Sequence, residues 1–60
     1  MQKLRILRVK NKYSYYDMAK LLKVSKTYYW ELENKKKRLS YGLAIKIALI
    51  FNLKPDDVFY

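Results

Sequence analysis

Sixty residues carrying a formal net charge of +9, with neither cysteine nor histidine, leave few ways to hold a fold together. Such a chain buries only about 60% of the surface its unfolded form exposes, and with disulfides and the usual zinc ligands excluded, apolar helix packing or self-association must stabilise the core. No apolar run reaches the roughly 18 residues of a membrane span, since Lys46 interrupts the longest one, Leu43 to Phe51, and the start MQKLRILRVK is too charged for a leader peptide.

One glycine and one proline punctuate the chain, so element boundaries rest on caps and periodicity. Leu4, Leu7 and Arg8, with Ile6 and Val9 on a neighbouring stripe, predict a first helix from Gln2 to Asn11. Ser14 followed by Asp17 has the spacing of a capping box and opens a second helix, Tyr15 to Leu22, with Met18, Ala19 and Leu22 on one face. Ser25 caps a third, Lys26 to Asn34. Beyond a Lys/Arg loop, Ser40 caps a fourth, in which Ala44, Ile47, Ala48 and Phe51 line one side, flanked by Leu43 and Ile50, and Asn52 is a left-handed stop. Pro55 at a first helical position, with Asp56 and Asp57 in the first turn, starts a short fifth helix. The expected class is all-α, with no strand, repeat or linker.

The third helix begins KTYYWELEN. Successive helix residues turn by about 100°, so Tyr28, Tyr29 and Trp30 cannot all be core. Tyr29 shares a stripe with Leu32 and is expected inside, Tyr28 falls on the boundary, and Trp30 lies outside with Lys26, Thr27, Glu31 and Asn34. A large aromatic on a polar face implies a partner, DNA or protein, unless it folds back over its own helix.

Charge is distributed unevenly. Residues 1–38 hold twelve Lys/Arg against Asp17, Glu31 and Glu33, whereas residues 39–60 are neutral. A basic field of this kind is the footprint of a polyanion binder, with phosphate the commonest target.

Two short helices joined by Lys23, Val24 and Ser25, the second with basic and small polar residues at its amino end, have the form of a helix-turn-helix. At this point the chain resembles the Cro and phage-repressor type of helix-turn-helix family, also called the xenobiotic response element family. The likeness runs through LRILRVKNKYSYYDMAKLLKVSKTYYWELEN and KKKRLSYGLAIKIALIFNLKPDDVF. It implies one compact five-helix, lambda-repressor-like domain over residues 1–60, binding a double-stranded DNA operator as a homodimer in the bacterial cytoplasm, on the nucleoid. A repressor from a phage, mobile element or bacterial operon is the expected role.

Position by position, the resemblance implies that Lys26, Thr27 and Glu31 reach base edges, with Trp30 at the margin of the same surface. Tyr15 matches a residue, often Gln, that touches the DNA backbone, and Ser25, Asn34 and the loop Lys35, Lys36, Lys37 and Arg38 match further backbone contacts; Tyr28, a boundary ring that can offer its hydroxyl at the edge, is a backbone candidate on its own chemistry. Arg8 and Glu33 match a partly buried ion pair joining the first helix to the third. Ala19 matches a small residue that lets the second and third helices approach closely. The family commonly has Gly where Lys23 and Lys35 stand, at left-handed positions, and Pro where Leu39 stands.

Chemistry supports part of this. Lys26 can donate to guanine, and Glu31 can accept from cytosine N4 while being repelled by phosphate. Glu31 could equally pair with Lys35 on a solvated face, and the basic run could be merely a solvated loop. Leu53, Pro55, Val58, Phe59 and Tyr60 form the expected dimer surface, with packing of the fifth helix on the first competing for the same side chains. Ile6 and Val9 are left for a receiving patch or a second contact.

Enzymatic activity is not expected: there is no histidine, cysteine or phosphate-cradling glycine loop, and Glu31 and Glu33 point to different sides of one helix. No cofactor, metal or membrane is implied. The alternative to a DNA reader is a protein-interaction or anti-repressor module using Tyr28 and Trp30 as anchors. A cationic membrane-surface peptide would need one long amphipathic helix in place of five capped segments.

Overall fold

Serine caps and left-handed stops divide the chain into five helices. In the computed structural model, which describes residues 2–59, these are α1 (Gln2–Lys10), α2 (Tyr15–Leu22), α3 (Lys26–Glu33), α4 (Tyr41–Ile50) and α5 (Pro55–Phe59). No strand occurs among the described residues. The expected ends of α1 and α3, Asn11 and Asn34, lie one residue past the helices, and each turns its side-chain amide back onto a carbonyl of the last turn, Leu7 and Trp30 respectively.

Three helices start in the same way. Ser14 Oγ accepts the Asp17 N–H at 3.0 Å while the Asp17 carboxylate accepts the Ser14 N–H at 2.8 Å, completing the capping box. Ser25 and Ser40 accept from Tyr28 and Leu43 at 3.0 and 3.2 Å. Four helices also end alike, each on a residue with positive φ: Lys12, Lys23, Lys35 and Asn52. Around each, the next N–H reaches back to a carbonyl in the final turn, as Tyr13 does to Arg8, Val24 to Ala19, Lys36 to Glu31 and Leu53 to Ala48. A left-handed side chain costs about 1 kcal/mol, and at three stops a cation near the negative end of the helix dipole offsets part of it. Lys12 is a left-handed stop with no sequence signal of its own.

The core gathers Leu4 from α1, Met18, Ala19 and Leu22 from α2, Tyr29 from α3, Ile47 and Ala48 from α4 and Val58 from α5. Ala19 is buried, and α2 and α3 form the most extensive helix contact; α5 packs on α4 and α1, closing the far side. That packing corrects one expectation. Val58 is 2% exposed, inside the core, and is not available to a second copy. Leu53 and Phe59 are half-buried against the same core, Pro55 is half-buried, and Tyr60 lies outside the described residues. The apolar side chains left outside are instead Ile6 and Val9 on α1, Tyr16 and Leu21 on α2, Trp30 on α3, and Tyr41 and Leu49 on α4.

Candidate nucleic-acid interface

Helix α3 is held from behind by three buried side chains. Tyr29 and Leu32 are fully buried and Glu33 nearly so, which fixes the rotation of the helix and turns Lys26, Thr27 and Trp30 outward. Lys26 and Trp30, and Thr27 and Glu31, are four residues apart and therefore neighbours on one surface. Trp30 is 41% exposed, Tyr28 is half-buried and Tyr29 is core, matching the expected fan of the aromatic triplet. Glu31 is half-buried, and among the described residues no ion pair joins it to Lys35.

Behind this surface Arg8 and Glu33 make a two-pronged pair: Arg8 Nε donates to Glu33 Oε1 at 2.8 Å and Nη2 to Oε2 at 3.1 Å. Arg8 Nη1 donates to the Tyr13 carbonyl at 3.0 Å, and the Tyr29 hydroxyl donates to Glu33 Oε1 at 2.8 Å. The Arg8 guanidinium also lies over the Tyr15 ring, 4.2 Å from its centroid, and that ring tilts against Tyr29. One buried cation thus joins α1, the α1–α2 loop, the start of α2 and the end of α3. The bond to Glu33 raises Arg8 above its ordinary value against the opposing effect of desolvation. Burial, then the bond to Glu33, pushes the Tyr29 phenol well above its ordinary range, so it stays a donor.

The expected phosphate contacts sit around this frame. The half-buried Tyr15 ring opens α2. Ser25 uses its oxygen to cap α3 and keeps its O–H as a donor. Asn34 spends one amide N–H on the Trp30 carbonyl at 2.9 Å. Lys36 and Lys37 donate their backbone N–H groups to the Glu31 carbonyl, at 2.7 and 3.3 Å, folding the loop over the carboxyl end of α3 with Lys35, Lys36, Lys37 and Arg38 all exposed.

Sequence reasoning missed two features here. The stacking of Tyr15 under Arg8 has no signal in residue spacing. The Tyr29 bond to Glu33 does have one, since the two are four residues apart on the buried side. Gln2 and Arg5 also line a depression with Glu33 and Asn34, placing a further exposed cation beside the carboxyl end of α3.

Two helices joined by a three-residue turn, the second presenting cationic, polar and aromatic side chains to solvent from a buried anchor, define a helix-turn-helix DNA reader. A profile described as helix-turn-helix matches residues 4–58, nearly the whole chain. The chain belongs to the helix-turn-helix family, in its Cro and phage-repressor type, and is a DNA-binding regulator for double-stranded DNA; that family is not a family of enzymes. No curated protein and no solved structure matches it. No helix among the described residues is long and apolar enough to cross a membrane.

Proposed function

We propose that residues 1–60 act as one sequence-specific operator-reading domain of a transcriptional repressor, from a phage, mobile element or bacterial operon, working on the nucleoid in the cytoplasm. The observation that carries this reading is the outward face of α3: Lys26, Thr27 and Trp30 are exposed, with Glu31 half-buried beside them. A carboxylate in that position disfavours indiscriminate phosphate binding and selects a base donor such as cytosine N4–H. Lys26 supplies the complementary donor for guanine, and Trp30 an apolar surface for a thymine methyl. Tyr15, Ser25, Tyr28, Asn34 and the run from Lys35 to Arg38 set register by contacting phosphates.

One α3 offers few base contacts, so a homodimer doubling them across a palindromic site is part of the proposal. Leu53, Pro55 and Phe59 remain its candidate interface, with Val58 excluded by its burial. Selection of bound duplexes from a random pool at near-physiological salt tests this. An enriched inverted repeat is expected; salt-sensitive binding to every sequence alike would overturn it.

A further inference from the structure

Helix α4 reads YGLAIKIALI, apolar almost all the way round, and a helix of that kind is normally covered on both sides. Its inner side is covered, with Ala44, Ile47 and Ala48 buried. Its outer side is not: Leu49 is 65% exposed. Near the end of α2, Leu21 is 53% exposed. The two leucines line one shallow groove, together with Leu22, Ile50, Lys23 and Lys46. Buried Leu22 and half-buried Ile50 give it an apolar floor, and both lysines are exposed.

A second depression shares Leu21 and is lined by Lys12, Tyr13, Asp17 and Lys20. Lys23 and Lys46 therefore flank both exposed leucines, and Lys12 and Lys20 lie beside Leu21. The one carboxylate among these side chains, Asp17, already accepts the Ser14 N–H. With four lysines against that single carboxylate, the patch is apolar at its centre and net positive at its rim.

We infer that the groove between α2 and α4 docks an acidic amphipathic helix of another protein. Two apolar side chains one turn apart would seat between Leu21 and Leu49, and flanking carboxylates would meet Lys23 and Lys46. Helix-in-groove recognition uses this combination of apolar anchors and charged flanks. Phosphate gains nothing from exposed leucines, which sets the patch apart from the lysine loop after α3. A second copy pairing the same patch by two-fold symmetry would set lysines against lysines. The inference does not depend on operator reading, because Leu21, Lys46 and Leu49 have no part in the proposed DNA contacts.

The test is a titration of the isotope-labelled full chain with a synthetic helical peptide of about 15 residues, leucine on one face and glutamate elsewhere, followed by amide NMR shifts. A twin peptide with lysine for glutamate serves as control. Saturable shifts at Leu21, Lys23, Lys46, Leu49 and Ile50 are expected, with no binding of the twin. The Leu21→Ser/Leu49→Ser and Lys46→Glu variants should each bind the acidic peptide at least about tenfold more weakly, with duplex binding by the serine variant unchanged. Both serine changes fall on exposed positions, so the fold survives them. Shifts centred on residues 26–38, equal affinity in the variants, or binding of the basic twin would overturn the inference. So would the same shifts on raising protein concentration alone, which would assign the groove to a second copy.

Discussion

Replacing Glu33 by alanine tests whether its buried pair with Arg8 ties α1 to α3. The carboxylate accepts from Arg8 Nε at 2.8 Å, Arg8 Nη2 at 3.1 Å and the Tyr29 hydroxyl at 2.8 Å, with side-chain exposures of 9% for Arg8 and 3% for Glu33. Truncation leaves a buried guanidinium without its counter-ion and a buried phenol without its acceptor. Breaking a buried pair costs about 3–5 kcal/mol. Arg8 keeps the Tyr13 carbonyl and the Tyr15 ring face, which points to the lower end, about 3 kcal/mol, and the orphaned phenol adds about 1 kcal/mol. Against a total stability of roughly 5 kcal/mol for so small a fold, Glu33→Ala should be close to unfolding. Glu33→Gln keeps the volume and one acceptor oxygen and should lose about 2 kcal/mol. Urea titration followed by circular dichroism measures both. Adding Arg8→Ala to Glu33→Ala should cost less than the sum of the single changes, because no charge is then left stranded. A Glu33→Ala protein within about 0.5 kcal/mol of wild type would refute the reasoning.

Removing the strain at two left-handed lysines should stabilise the protein: Lys23→Gly and Lys35→Gly are each expected to gain about 0.5 kcal/mol, after the greater freedom of glycine in the unfolded chain takes back part of the relief. Urea midpoints that fall for both would contradict the account of the helix stops. The Asp17 carboxylate is held below its ordinary value, chiefly by the hydrogen bond from the Ser14 backbone. A carboxylate depressed in the folded state stabilises fully above its unfolded value and ceases to do so as pH falls through the folded one. The stability difference between wild type and Asp17→Asn should therefore be largest above the ordinary carboxylate value and close as pH falls through the lower folded one; a constant difference would show that the carboxylate plays no such part. Lys36→Gln/Lys37→Gln should weaken all duplexes alike and reduce the salt slope by about 1.8 if both contact phosphate, and unchanged binding would return the loop to a solvated role.

The helix starts are legible in the sequence because a serine cap acts locally: Ser14, Ser25 and Ser40 each bond an N–H three residues on, and nothing distant is needed to specify it. The face of α3 is legible because the helical repeat alone separates Tyr29 and Leu32 from Trp30. Stops on lysine are harder, since a left-handed lysine carries no compositional mark; Lys23 and Lys35 are expected only through the family resemblance, and Lys12 not at all. Burial of Val58 is a tertiary outcome. Its position on α5 is equally compatible with a free surface, and only the docking of α5 against α1 and α4 decides it. The reverse holds for Leu49, in a run so uniformly apolar that periodicity cannot separate a buried side from an exposed one. Arg8 stacking on Tyr15 depends on three helices converging and has no linear signature.

Under the proposed function the outward face of α3 reads bases while the neighbouring residues hold phosphates. Repeating the duplex selection with Lys26→Ala and Trp30→Ala beside the wild-type protein tests it most directly. Each variant should lose preference at one base position, with a cost of about 1–3 kcal/mol at a well-made contact, and keep the rest of the site. Variants that select the same sequence as wild type, or that weaken every duplex equally, would contradict base reading by α3.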